Sequence, residues 1–198
     1  DVIDSIQRAN KRHASSRTGN ADLDARIASY ELAYGMQTTA SEAVELDKET
    51  EHTGKIYGMD DPATQDFGKR CLLARRLVER GVRFIQIWSG NDNSFPRRNW
   101  DSHENIKQDH GPLATGMAVG SAALLKDLKQ RGLLDSTLVI WGGEFGRTPM
   151  AQGSGRDHHI RGFSLFMAGG GVQGGISYGN TDDLGYKAVD RPFHVPDL

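Results

Sequence analysis

Apolar residues near the start of the chain recur at helical spacing in a segment that is otherwise polar. They follow one another at intervals of four, three and four residues, at Leu23, Ile27, Tyr30 and Tyr34. This spacing places them on one face of a helix. We therefore expect residues 1–60 to form a peripheral helical segment and residues 61–198 to form the main domain.

Two further helices are predicted downstream. Residues 64–80 contain strong helix formers, with Cys71 on the apolar stripe, and Gly81 is the residue type that commonly follows a helix end. The second helix is predicted over residues 112–131 and ends at Gly132; its apolar face carries Leu113, Met117, Leu124 and Leu128. Both helices are expected to pack on the core, and Cys71 is expected to lie within it.

Three segments have the composition of strands. Residues 82–88 are rich in β-branched and aromatic residues, and residues 163–168 form a third apolar run after the run at 137–141. The run at 137–141 is almost wholly apolar, as expected for a parallel strand covered by helices on both faces. Strands that alternate with helices in this way predict an α/β fold with a mostly parallel sheet.

Composition restricts the partners and the metal chemistry. The chain has 198 residues, of which 25% are charged and 37% hydrophobic, and its net charge is −2. These values suit a globular protein without a membrane span and give no overall positive field for nucleic acid. The chain has a single cysteine, so a metal would need histidine and carboxylate ligands. Since the first residues have neither an initiator Met nor a signal peptide pattern, we expect the chain to be a fragment.

The first candidate site is the loop sequence WDSH at residues 100–103, after a predicted strand. Asp101 and His103 lie two residues apart and can both point at one cation, with a carboxylate and an imidazole as ligands. A surface turn that happens to contain a histidine explains the same residues. Taken alone, this motif favours the turn.

The second candidate site is GGEFGRTP at residues 142–149, after the apolar run at 137–141. An unpaired charge at a buried strand end is costly, so Glu144 requires either a metal or an ion pair. Arg147 can serve as its ion-pair partner, or it can clamp an oxyanion. The sequence leaves these alternatives equally open.

The third candidate site is GRDHH at residues 155–159. Adjacent side chains project in different directions, so His158 or His159 can bind a metal while the other faces elsewhere. Asp157 and Arg156 stand beside them, and two other groups of acidic residues, histidine and arginine follow predicted strands. These neighbours favour a functional site over a hydrated loop.

Four segments, taken together, resemble an uncharacterised sulfatase-like family of exported bacterial proteins within the alkaline phosphatase superfamily. They are LARRLVERGVRF at 73–84, WDSH at 100–103, LLDSTLVIWGGEFGRTP at 133–149 and GRDHH at 155–159. The resemblance implies a three-layer α/β/α sandwich, of which residues 61–198 form the C-terminal part. It also implies a periplasmic or extracellular protein.

The resemblance further implies a divalent metal site for zinc, calcium or manganese. Asp101 and His103 match the family's first metal segment, Glu144 its acidic residue after the apolar strand, and His158 or His159 its later histidine. Asp157, beside these histidines, is a further candidate ligand. Arg147 and Arg156 are implied to stabilise charge on a sulfate or phosphate ester. The implied substrate is a small anionic ester or a sulfated carbohydrate. Glu144-Phe145-Gly146 stands where phosphatases of the superfamily usually have Asp-His-Gly, which weakens a second metal position.

Three functional interpretations follow from these residues. The first is a sulfatase- or phosphatase-like hydrolase whose nucleophile lies upstream of this chain, so that these residues alone are inactive. The second is a non-catalytic protein that binds a ligand or partner on the same scaffold. The third is a structural domain with ion pairs at its strand ends.

Overall fold

A computed structural model of the chain describes residues 2–90 and 99–197. The chain divides into two compact units, residues 1–45 and 46–198, so the sequence-based division at residue 60 falls inside the second unit. Within the described ranges no helix combines the length and the apolar content needed to cross a membrane.

The first unit consists of two helices, α1 (Val2–Ser15) and α2 (Ala21–Val44). Asn20 caps α2, since its side-chain oxygen accepts a hydrogen bond from the Leu23 amide at 3.0 Å. The helix predicted from the spacing of Leu23, Ile27 and the two tyrosines is confirmed. Tyr30 is nevertheless 72% exposed, so its helix face is only partly covered.

The second unit is built around α4 (Gln65–Glu79) and α5 (Ile106–Gln130), with the short α3 (Glu51–Ile56) beside α5. Both predicted helices are confirmed, although α5 begins six residues before the predicted start at 112. The helix therefore contains Pro112 in its second turn, where proline has no N–H to donate to the Gln108 carbonyl, so one intrahelical hydrogen bond is missing there.

Helices α4 and α5 approach closely because glycine lies at their contact. A Cβ atom on Gly120 of α5 would lie 2.9 Å from the Phe67 ring and 3.2 Å from the Cys71 sulfur. The core beside this contact contains Leu72 and Leu128, both almost fully buried, and the predicted core position of Cys71 is confirmed. Burial raises the pKa of the Cys71 thiol to about 12, so this cysteine is an apolar core residue rather than a nucleophile.

Charged side chains form a compact group at the edge of this core, which we call the Arg75 cluster. Its members are Arg75, Arg76, Arg131, Glu49, Glu79, Asp127 and the hydroxyl of Tyr57. Arg75 is only 2% exposed and lies 2.8 Å from Glu49, 2.7 Å from Glu79 and 3.1 Å from Asp127. Three cations matched by three carboxylates keep the charges of this cluster paired, from the buried Arg75 to the exposed Arg131.

The described strands are short and pair only antiparallel, in three two-stranded sheets. Strand β1 (Val139–Trp141) pairs with β4 (Phe166–Ala168), β2 (Gly146–Arg147) with β3 (His158–His159), and β5 (Asn180–Thr181) with β6 (Ala188–Asp190). Three-residue 3-10 helices lie at Leu46–Lys48, Leu134–Ser136 and Val195–Asp197.

The predicted α/β sandwich with a mostly parallel sheet is therefore wrong. The run at 137–141 does contain a strand, but its partner β4 is antiparallel, and Ile140 and Trp141 are 48% and 45% exposed. Residues 82–88 form no strand, and Phe84 is 83% exposed. An apolar, β-branched run indicates a tendency to pair, but it specifies neither the partner nor the direction of pairing.

Candidate metal centre

The first ligand-bearing segment is the turn at residues 99–104, which precedes α5. The Asn99 side chain accepts a hydrogen bond from the Asp101 amide at 2.9 Å. Ser102 is 3% exposed, and its hydroxyl donates to Asp109 of α5 at 2.5 Å. These bonds hold the backbone on either side of Asp101 in place.

The second ligand-bearing segment is the hairpin of β2 and β3. Gly146 pairs with His159, and Arg147 pairs with His158. Because successive strand residues project to opposite faces, the two histidines point in different directions. His159 is 6% exposed, and its ring nitrogen Nε2 lies against the Tyr186 carbonyl oxygen, whereas His158 faces the turn at 99–104.

Asp101, His103 and His158 form a group that can hold a metal ion. Their ligand atoms all lie within 4.8 Å of one another. Asp101 Oδ1 is 3.0 Å from His158 Nε2 and 3.7 Å from His103 Nε2, and the two imidazole centroids are 4.4 Å apart. All three side chains are half-buried, so a cation from solvent can reach them.

Asp157 lies on the far side of His103 from Asp101. Its Oδ1 atom is 3.4 Å from His103 Nδ1, and the same atom accepts the His158 backbone amide at 2.8 Å. A carboxylate behind a ligating imidazole commonly fixes the orientation of that ring. The position of Asp157 suits this supporting role, since Asp101 occupies the opposite edge of the ring.

The turn and the hairpin contact each other directly at Gly155. A Cβ atom at this position would lie 2.0 Å from the His103 carbonyl oxygen. Only glycine allows the two backbones to approach this closely. Gly155 therefore lets the segment that carries His158 lie against the segment that carries His103.

The two arginines predicted to act on substrate bind backbone oxygens. Arg147 Nη1 donates to the Arg156 carbonyl at 3.1 Å, and Arg147 Nη2 donates to the Trp100 carbonyl. Arg156 Nη1 donates to the Thr148 carbonyl at 2.8 Å. Burial lowers the pKa of Arg147, although Asp101, Asp157 and Glu144 act in the opposite direction. The catalytic role of both arginines stays a prediction.

The structure thus brings together three of the six predicted metal ligands. Asp157 stands behind His103, His159 turns to Tyr186, and Glu144 is exposed outside the three-residue group. Which of these residues bind a metal in solution stays a prediction.

Sequence reasoning gave no role to several residues that shape the centre. The Phe145 ring lies 4.2 Å from the His158 ring, and the Trp100 ring lies 5.1 Å from that of His110. Burial, followed by the charge of Arg147, lowers the pKa of His110. The position of Phe145 beside Glu144 and of Trp100 beside Asp101 was a signal, since each directly adjoins a predicted ligand.

An open cleft of about 600 Å³ lies next to the centre. Its lining includes Lys107 at the start of α5, Gly155, and Arg156. Gly155 connects this cleft to the metal group, because it contacts the backbone of His103 and Glu104. Two residues with cationic side chains, Lys107 and Arg156, are thus among those that line a depression beside the three candidate ligands.

Comparison with known proteins places the chain in a family. No curated protein matches the chain, and no solved structure matches it. One family model, described as a protein of unknown function, covers residues 1–198. The chain therefore belongs to the DUF1501 family.

Proposed function

We propose that this chain binds a divalent metal through Asp101, His103 and His158. The observation that carries the proposal is the convergence of one carboxylate and two imidazoles from separate segments, with all ligand atoms within 4.8 Å. Exposed acidic groups alone would be a weak signal. Two half-buried imidazoles facing one carboxylate oxygen form a donor set that transition metals prefer.

The donor set favours zinc over the other two metals that the sequence suggested. Calcium takes six to eight oxygen ligands, whereas two of the three donors here are nitrogens. Two histidines and one carboxylate leave a fourth zinc position open to water or substrate. Manganese, which accepts carboxylate and imidazole ligands, is the second choice.

Zinc titration of the purified chain tests the proposal. We expect the chain to bind Zn²⁺ and to gain roughly 3 kcal/mol of folding free energy when free zinc is ~100 times its dissociation constant. Asp101→Ala and His158→Ala should each abolish this gain. His52→Ala removes an exposed histidine of α3 and should leave binding unchanged. Unaltered zinc binding in Asp101→Ala would contradict the proposal.

We extend the proposal to metal-dependent hydrolysis of sulfate or phosphate esters by an exported protein. It is supported by the sequence resemblance and by the cationic cleft beside the centre, which suits an anionic substrate. When bound, the metal would act as a Lewis acid on an ester oxygen. Lys107 and Arg156 would attract and orient the anion from the cleft.

Hydrolysis is tested on the longest natural form of the protein that contains these residues, because the resemblance implies an upstream nucleophile. An aryl sulfate and an aryl phosphate are compared with and without zinc, in the wild type and in Asp101→Ala. Zinc-dependent turnover that disappears in Asp101→Ala would support hydrolysis. Zinc binding without turnover of either ester would favour the non-catalytic alternative.

A further inference from the structure

The guanidinium of Arg147 contacts the backbone of both ligand-bearing segments. Its Nη2 donates to the carbonyl of Trp100, the residue before Asp101, and its Nη1 donates at 3.1 Å to the carbonyl of Arg156, two residues before His158. One side chain therefore bridges the turn that carries Asp101 and the strand connection that carries His158.

The strand register directs Arg147 toward the centre. Arg147 and His158 are directly opposite each other in the antiparallel pair of β2 and β3. Side chains that are directly opposite project to the same face of a sheet. Arg147 thus extends on the side of the hairpin from which His158 reaches Asp101, and its guanidinium meets the turn there.

We propose that Arg147 is a positioning residue that holds the two ligand-bearing segments together. The effect on metal binding rests on the proposed metal function. The bridge itself consists of hydrogen bonds that are present without metal. Loss of the bridge would let the turn and the hairpin separate, which would spread the three ligand atoms beyond the span of one cation.

The chemistry of the bridge requires arginine rather than lysine. The guanidinium presents donors in a rigid, planar fork and can serve two carbonyls in fixed directions. A lysine ammonium keeps the positive charge but sits on a flexible stem and lacks this fork. Because Arg147 is partly buried among Asp101, Asp157 and Glu144, replacement with lysine changes the geometry while retaining the charge.

Arg147→Lys separates positioning from charge. In the metal-free chain, we expect the nuclear Overhauser contact between the His103 and His158 rings, whose centroids are 4.4 Å apart, to weaken in this variant. In the zinc titration, we expect affinity to fall about 10–100-fold, the range found when residues that support metal ligands are replaced. The Co²⁺ absorption spectrum should also change, since the ligand geometry is altered.

Leu124→Ala is the matched control, because it destabilises the helical core without touching the turn or the hairpin. Its folded fraction should keep the ring contact and the zinc affinity of the wild type, so loss of stability alone cannot imitate the effect of Arg147→Lys. If Arg147→Lys keeps both the ring contact and the metal affinity, the positioning role is overturned.

Failure of the metal proposal gives a different pattern. If the wild type binds no zinc but the ring contact still disappears in Arg147→Lys, the positioning role stands and the metal function fails. If the ring contact persists and only ester turnover in the hydrolysis assay falls, Arg147 acts on substrate instead, and the positioning role is again overturned.

Discussion

At the scale of single residues, Arg75 shows how this chain keeps a charge inside its helical core. Glu79 lies one helical turn further along α4, while Glu49 and Asp127 approach from other segments. Burial alone would lower the pKa of Arg75, but hydrogen bonds with Glu79 and Glu49 raise it. The ion contacts outweigh the cost of desolvation, so Arg75 remains a cation in the folded protein.

We expect Arg75→Met to destabilise the chain by about 3 kcal/mol, because Glu49, Glu79 and Asp127 would then face one another with less positive charge among them. This loss of unfolding free energy lies near the lower end of the range for a broken buried ion pair, since Arg76 and Arg131 remain beside the carboxylates. Urea unfolding of the variant against the wild type measures this difference.

Lys69→Met is the control for this substitution, because Lys69 is exposed on the same helix. Its effect should stay within roughly 0.5 kcal/mol, as for most surface changes. Equal stability of the two variants would mean that the Arg75 cluster contributes no more than a surface charge.

At the scale of elements, the helices were predictable and the sheets were not. The hydrogen bonds and apolar stripe of α4 are local, so its composition and the glycine after it suffice to define it. Strand pairing joins distant residues, and the apolar pattern of residues 137–141 carries no information about β4 as an antiparallel partner. Residues 82–88 have strand composition, yet in the described structure they pair with no strand.

The same difference explains how much of the candidate site could be predicted. Asp101, His103 and His158 were found from residue type and from their places after predicted strands. Their separation from Glu144 and His159 depends on the register of β2 and β3 and on the contact at Gly155. Neither the strand register nor this contact is encoded in a local motif. The sequence alone therefore could not narrow the six candidate ligands to these three.

The contact between α4 and α5 gives a prediction at this scale. Gly120→Val should destabilise the chain by about 1–3 kcal/mol, because new methyl groups would press on Phe67, Cys71 and the backbone of Gly68. Ala118→Val is the control on the same helix, since Ala118 is exposed and the change should cost no more than about 0.7 kcal/mol of helix propensity. Thermal unfolding compares the pair, and equal melting temperatures would show that the helices can separate without cost.

At the scale of the whole chain, large apolar side chains are exposed in the second unit. Phe84 and Trp88 are 83% and 70% exposed, and Ile160 and Leu184 are 76% and 79% exposed. Single exposed apolar residues are ordinary, but several aromatic and aliphatic side chains at this level favour association. The short strands add to this tendency, because their outer edges are unpaired in the described sheets.

We therefore expect the 198-residue chain to self-associate as its concentration rises. Light scattering after size-exclusion chromatography measures this, and Trp88→Ser should reduce the mean mass at a given concentration. Lys69→Ser, a surface change on α4, should leave the mass unchanged. A compact monomer with a cooperative melt over the whole concentration range would contradict the expectation.

The alternation of His158 and His159 across β3 has a consequence for how this chain tolerates insertions and deletions. A slip of one residue between β2 and β3 would turn His159 toward Asp101 and His158 toward Tyr186. A slip of two residues would leave neither His158 nor His159 directly opposite Arg147. The geometry of the metal centre therefore depends on the number of residues between Arg147 and His158. Insertions or deletions in this connection should disturb metal binding more than side-chain substitutions there.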